Sequence, residues 1–186
     1  MKNDINREDA LRYQMVGLLP RLRRFARTLT RDPDRADDLV QAACERALNR
    51  LDQLRQGTRL DSWLYRIIYT RWIDRLRRSS TRSAGLVVLS NDHQADTAAD
   101  HPGARLDAAI DLRNALRTLP EEHNVALMLV CVEGYSYAEA AAVLEVPAGT
   151  VASRVARARN MLGRMLFEQP RNVLQTLEGD GKEGRK

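Results

Sequence analysis

Apolar residues recur at steps of three and four through most of the chain, the spacing of amphipathic helices. Leu11, Met15, Leu18, Leu22, Phe25 and Leu29 form a first stripe. Pro20 falls inside it, and because proline lacks an N–H and crowds the preceding turn, a kink or a fresh helix start is expected there. The turn-and-cap sequence DPDR (32–35) opens a second stripe of Ala36, Leu39, Val40, Ala43, Ala47, Leu48 and Leu51. RQGTR (55–59) breaks the pattern. A third helix then runs over about 60–78, with Leu60, Trp63, Leu64, Ile67 and Ile68 inward. Four further helical segments are predicted over 106–118, 121–133, 137–144 and 148–167, with Pro120 just inside the start of the second of these.

Between the two sets of helices lies an aperiodic stretch, 80–105, rich in Ser, Asp, Ala, Gly and Thr and containing Pro102. It reads as a flexible linker, so the chain divides into a unit over 8–80, a linker over 81–105 and a unit over 106–167. Within the linker, Leu86–Leu89 reads either as a short strand or as a segment that lies on a partner surface. Residues 168–186 form a polar, glycine-containing tail expected to fray.

Composition narrows the class. Hydrophobic residues make up 44% of the 186, enough for helical cores, while aromatics at 5% and the lack of long alternating runs argue against a sheet. The fold class expected is all-α, two small helical domains. The longest apolar run, VALMLVCV (125–132), is far short of the roughly 20 residues that span a bilayer, so no membrane insertion is expected. The polar start MKNDINREDALRYQ lacks the features of a secretory signal, which points to an intracellular protein. Cys44 and Cys131 stand apart in apolar helical patterns with no ligand-spaced partner, and read as buried reduced thiols. No cofactor or metal is called for by these patterns.

Charge is unevenly placed. Residues 1–82 carry 19 basic and 11 acidic side chains, whereas residues 106–186 carry 10 and 11, so the basic excess belongs to the first unit. Such a surface attracts polyanions, or serves only as a solvated face.

Three constellations bear on chemistry. In GYSYAEAAAVLEVPAGTVASRVARARNML (134–162), Ser136 and Glu139 make a capping box, and a short helix with Tyr137, Ala140, Ala141 and Leu144 inward ends at Glu145. A tight turn through Val146 and Pro147 leads to a second helix that buries Val151, Val155, Ala158 and Leu162. This is a helix-turn-helix pattern. Its second helix turns Thr150, Ser153, Arg154, Arg157, Asn160 and Arg164 outward, among small residues Ala148, Gly149, Ala152 and Ala156. Small side chains admit a helix into a major groove about 12 Å wide, and arginine bonds guanine edges or phosphates. An amphipathic helix with a solvated arginine face is the plainer reading.

The third helix carries Arg71, Arg75, Arg78 and Arg82 at four, three and four, beside Tyr65, Tyr69 and Trp72. Stacking planes next to cations suit unpaired bases; alternatively Tyr65 and Trp72 complete the core and the arginines solvate the helix end. The second helix presents Asp34, Asp38, Gln41 and Glu45, with Asp37 adjacent. These carboxylates fit a divalent metal site, an acidic helix start, or a docking face for a basic partner.

DRADDLVQAACERALNRLDQL, TRLDSWLYRIIYTRWIDRLRR and LRTLPEEHNVALMLVCVEGYSYAEAAAVLEVPAGTVASRVARAR, in this order, resemble the extracytoplasmic-function (ECF) sigma factors, the smallest members of the sigma-70 family. The resemblance spans about 18–166. It implies a factor that does no covalent chemistry and directs core RNA polymerase to promoter DNA. The first unit would be sigma region 2, docking through Asp37, Asp38, Gln41 and Glu45 on the β′ clamp helices. Its third helix and the 53–61 loop, with Arg59, Tyr69, Thr70, Arg71, Trp72, Arg75 and Arg78, would open the -10 element and hold a flipped base. The second unit would be region 4, reading the -35 element through the outward residues of its last helix and meeting the β flap. Regulation by an anti-sigma factor is common in the family.

The family often has asparagine at the position of Thr70, a basic residue at Ala152, glycine at Glu145 and a bulky side chain at Ala156; these departures bear on which promoter is read. Two other readings explain part of the chain. A stand-alone helix-turn-helix regulator accounts for 106–167 but leaves the second and third helices unused. A metal-dependent nucleic-acid enzyme would work through Asp37, Asp38 and Glu45.

Overall fold

In a computed structural model the described residues are 2–55, 57–83 and 104–167, with side chains described within 7–55, 57–79 and 110–167. The expectations for Leu86–Leu89, most of the linker and the tail lie outside the described residues. Among these residues seven α-helices follow one another: α1 (Lys2–Thr30), α2 (Pro33–Leu48), α3 (Leu60–Ser83), α4 (Ala104–Thr118), α5 (Glu121–Leu127), α6 (Tyr137–Leu144) and α7 (Ala148–Phe167). No strand occurs among the described residues.

In the first unit α1 packs against α2 and α3, with Met15, Leu22, Phe25 and Leu29 of the first stripe buried and Leu11 and Leu18 partly so. Pro20 does not start a new helix: α1 runs through it as one element. Pro20 is exposed, which leaves the carbonyl one turn back open to water, and the stripe on either side of it buries in one core. Arg31, at φ 57, ends α1 in the left-handed conformation. Asp32 then caps α2, its carboxylate accepting from the Arg35 N–H at 2.8 Å, with Pro33 beginning the helix. The α2 stripe is buried as spaced except for Leu48, which is 43% exposed; Leu51 enters the core from a short 3-10 turn (Leu51–Gln53).

The second unit corrects the sequence pattern in four places. The segment expected as one helix over 121–133 is an α-helix that widens into a π turn over Met128–Val132, where the Glu133 N–H bonds the Met128 carbonyl. Pro120 is not inside α5 but caps it, its carbonyl accepting from His123 and Asn124. Tyr137 faces outward at 42% exposure; Val143 takes the inward place on α6. Cys131 is exposed rather than buried, its sulfur accepting from Arg159 at 3.3 Å; in the first unit Cys44 is half-buried, and neither cysteine is in a disulfide. The capping box holds: the Glu139 N–H donates to Ser136 Oγ at 3.2 Å, and the Ser136 N–H to the Glu139 carboxylate at 2.8 Å. Glu145 at φ 56, ψ 41 stops α6 and turns the chain into α7.

The two units pack on each other through α3 against α6 and α1 against α5. Tyr65 is fully buried between Phe25 and Tyr135, edge-on to both at 4.8 and 5.8 Å. Around this aromatic seam the bonds are polar. Glu133, whose side chain is 1% exposed, accepts from Arg21 at 2.7 Å and Arg24 at 2.9 Å. Arg59 grips Asp61 through two nitrogens, at 3.1 and 2.8 Å, reaches Glu139 at 3.1 Å, and lies 4.9 Å over the Tyr135 ring. Ser62 bonds the Tyr135 hydroxyl, Arg66 bonds Glu145 at 2.9 Å, the Trp72 indole N–H donates to Glu121, and Arg31 donates to the Leu119 carbonyl.

Burial pushes the Glu133 carboxyl up, but the hydrogen bonds from Arg24 and Arg21, with the charge of Arg21 beside it, help to outweigh that and hold it below the usual range. Asp61 behaves alike, burial opposed by Arg59, the Ser62 N–H and Tyr135. Glu121 goes the other way, raised by burial that the Trp72 N–H only partly offsets. A carboxyl lowered on folding stabilises the fold above its unfolded pKa, near 4, and loses that contribution as pH falls through the lower folded value. The urea midpoint should therefore fall between about pH 5 and pH 3, and Glu133→Gln should flatten the fall; an identical slope in the variant would refute the assignment. Separately, Ser136→Ala should cost about 1 kcal/mol in denaturant unfolding, the usual loss for an N-cap.

Candidate nucleic-acid interface

The turn at Glu145–Pro147 sets α7 on the outside of the second unit. Val151, Val155 and Ala158 seat it against α5 and α6, and Leu162 is half-buried. Its opposite face is open: Arg157, Asn160 and Arg164 are exposed, and Ala148, Gly149 and Ala156 leave the backbone approachable. Three expected groove residues are less free. Thr150 is half-buried, and Ser153 turns its hydroxyl back onto the Thr150 carbonyl at 2.9 Å. Arg154, with its side chain 17% exposed, pairs with Glu122 at 2.6 Å.

The residues expected to handle unpaired bases divide into two groups. Thr70, Arg75 and Arg78 are exposed along α3, with Arg71 half-buried beside them. Arg71, Arg75 and Arg78 join Asp38, Leu39, Ala42 and Ser79 around a groove of about 490 Å³ between α2 and α3. The Arg71 Nε is buried there without a protein partner. Arg82 has no described side chain. The other group, Arg59, Tyr69 and Trp72, lies at the junction with the second unit. Arg59 holds Asp61 and Glu139, and Trp72 is only 9% exposed. Tyr69 is half-buried; burial raises its phenol, and the charge of Arg154 close by opposes that. Tyr65, from the same aromatic stripe, belongs to the core.

Asp37, Asp38, Gln41 and Glu45 all stand exposed on α2. Asp37 pairs with Arg23 at 3.2 Å, Gln41 donates to Glu45 at 3.1 Å, and Asp38 sits on the rim of the arginine groove. Among the described residues no three His, Cys, Asp or Glu side chains converge to hold a metal ion. No helix among them is long and apolar enough to cross a membrane.

Residues that the hydrophobic pattern did not single out form the junction: Arg21, Arg24 and Arg66 from the first unit, and Glu121, Glu133 and Glu145 from the second. The one sequence signal for them is the basic excess of the first unit beside a second unit with five glutamates between 121 and 145.

Comparison with known proteins agrees with this architecture. Residues 16–82 match the Sigma-70 region 2 family and residues 109–162 match Sigma-70, region 4. The chain is 38% identical over 161 residues to the ECF RNA polymerase sigma factor EcfG of Rhodopseudomonas palustris, covering 86% of each protein. It is 37% identical to the ECF RNA polymerase sigma factor SigM of Mycobacterium tuberculosis over 78% of this chain and 71% of that one. Among solved structures, the sigma factor RpoE of Bartonella quintana, crystallised in complex with the anti-sigma factor NepR, superposes with a TM-score of 0.66 at 32% identity, covering 83% of this chain and 95% of that one. With its two helical units matching regions 2 and 4 in order, the chain belongs to the extracytoplasmic-function sigma factors of the sigma-70 family.

Proposed function

We propose that this sigma factor divides its work between its two helical units, each of which contributes binding rather than covalent chemistry. As a member of its family it binds core RNA polymerase and promoter DNA and directs where transcription starts. On this reading residues 8–80 dock on the polymerase and hold the opened -10 element, residues 106–167 read the -35 element, and the intervening residues connect the two. The factor works in the cytoplasm, where polymerase meets the chromosome.

The observation that carries the assignment is the open face of α7, on which Arg157, Asn160 and Arg164 surround small residues while Val151, Val155 and Ala158 anchor the opposite side. Such a helix brings its backbone close to base edges. The arginine groove beside α2 supplies cations for a phosphate backbone. The exposed acids Asp37 and Asp38, with Gln41 and Glu45, offer a docking face for the β′ clamp helices. A stand-alone helix-turn-helix regulator leaves that acidic face without a role. An anti-sigma factor as regulator is supported by the likeness to RpoE, whose solved form carries NepR.

Two substitutions separate the roles. Arg157→Ala should lower run-off transcription from the cognate promoter by roughly tenfold or more, the loss of about 1–3 kcal/mol typical of a base contact, while core polymerase binding stays intact. Asp38→Ala should weaken holoenzyme assembly with less than about 0.5 kcal/mol change in folding stability, because the position is exposed. Full promoter activity in the first or unaltered assembly in the second would remove the corresponding assignment.

A further inference from the structure

We propose that the groove between α2 and α3 is a binding site for a small anion of two or more linked phosphoryl groups, held by Arg71, Arg75 and Arg78. This goes beyond the reading of the same arginines as contacts for a DNA strand. The groove encloses about 490 Å³ and is walled by Leu39 and Ala42 of α2 opposite the three arginines and Ser79 of α3. That volume lies in the range of small-molecule sites, about 300–1,000 Å³.

The arginines of the groove differ from those elsewhere in the fold. Arg21, Arg23, Arg24, Arg59, Arg66 and Arg154 each hold a carboxylate. Among the described residues Arg71, Arg75 and Arg78 form no ion pair, although Asp38 stands on the same rim. Arg78 spends its Nε on the Asp74 carbonyl at 3.2 Å, which leaves its charge unbalanced, and the Arg71 Nε is buried with no acceptor at all. A buried donor without a partner is costly, and like charges at helical steps of four and three repel each other. An oxyanion entering the groove supplies the missing acceptor and relieves the repulsion.

The spacing favours more than one phosphoryl group. From Arg71 to Arg78 the helix rises about 10 Å, so a single phosphate cannot meet all three guanidinium groups at once, whereas linked phosphoryl groups spread their oxygens along the row. The Ser79 hydroxyl adds a donor at the rim. Asp38 repels such a ligand and bounds the site on that side. No aromatic ring lines the groove, so the recognised part is the phosphate chain itself, whether free or carried on a nucleotide. On the proposed -10 reading, a factor so loaded has fewer cations left for a strand.

The test is titration calorimetry of the full chain without polymerase, at constant ionic strength, with pyrophosphate and ADP as probes. Arg71→Gln and Arg75→Gln should each weaken pyrophosphate binding about tenfold, the usual loss of a charge-assisted hydrogen bond. Arg75 is exposed, so its variant folds even if the half-buried Arg71 proves structural. Asp38→Ala should tighten binding about two- to fivefold by removing a like charge, and Arg27→Gln, an exposed arginine of α1 outside the groove, should leave it unchanged. ADP bound as tightly as pyrophosphate identifies a nucleotide as the source; pyrophosphate bound alone identifies the free anion. An equal loss in Arg27→Gln, no loss in Arg75→Gln, or a groove that takes an oligodeoxythymidine strand but neither probe would each overturn the proposal. Run-off transcription with Arg75→Gln judges the strand contact separately: undiminished output removes the groove from the -10 surface, whereas pyrophosphate affinity alone decides whether the site exists.

Discussion

The described structure turns on one buried carboxylate. Glu133 comes at the end of a π turn, almost without solvent, and is satisfied only because Arg21 and Arg24 reach it from α1. A buried charge without such partners carries a heavy desolvation penalty, so the two arginines and the glutamate hold their positions together. This joins the two units beside the Phe25–Tyr65–Tyr135 seam and sets which faces of α1, α3 and α6 are covered. Every surface discussed for function is what that junction leaves open or closes.

Seen from the junction, the functional surfaces fall into two kinds. The acidic face of α2, the arginine groove and the outer face of α7 are open to solvent. The end of α3 with Arg59, Tyr69 and Trp72 is engaged within the molecule.

Much of the fold was legible in advance because it rests on local rules. Spacing of three and four placed the helices, Asp32 and Ser136 announced helix starts, and the turn after Glu145 followed from a short apolar helix running into Pro147. The misses have physical causes. Pro20 sits on a solvent-facing side where a lost hydrogen bond costs little, so α1 continues. The π turn at Met128–Val132 has no composition cue. Tyr137 and Leu48 match their stripes in spacing but stay 42% and 43% exposed, at the edge of what their helices bury.

The sequence by itself determined the all-helical class, the two-unit order and the helix-turn-helix, since each depends on periodicity, caps and turn residues close together along the chain, while three stretches in order carried the family resemblance. Only the tertiary structure decided that Trp72 meets Glu121, that Arg59 serves Asp61 and Glu139, and that Glu133 is buried between two arginines. Those pairings join residues far apart in sequence, and a charged side chain carries no mark of its partner until packing brings the two within a few ångströms.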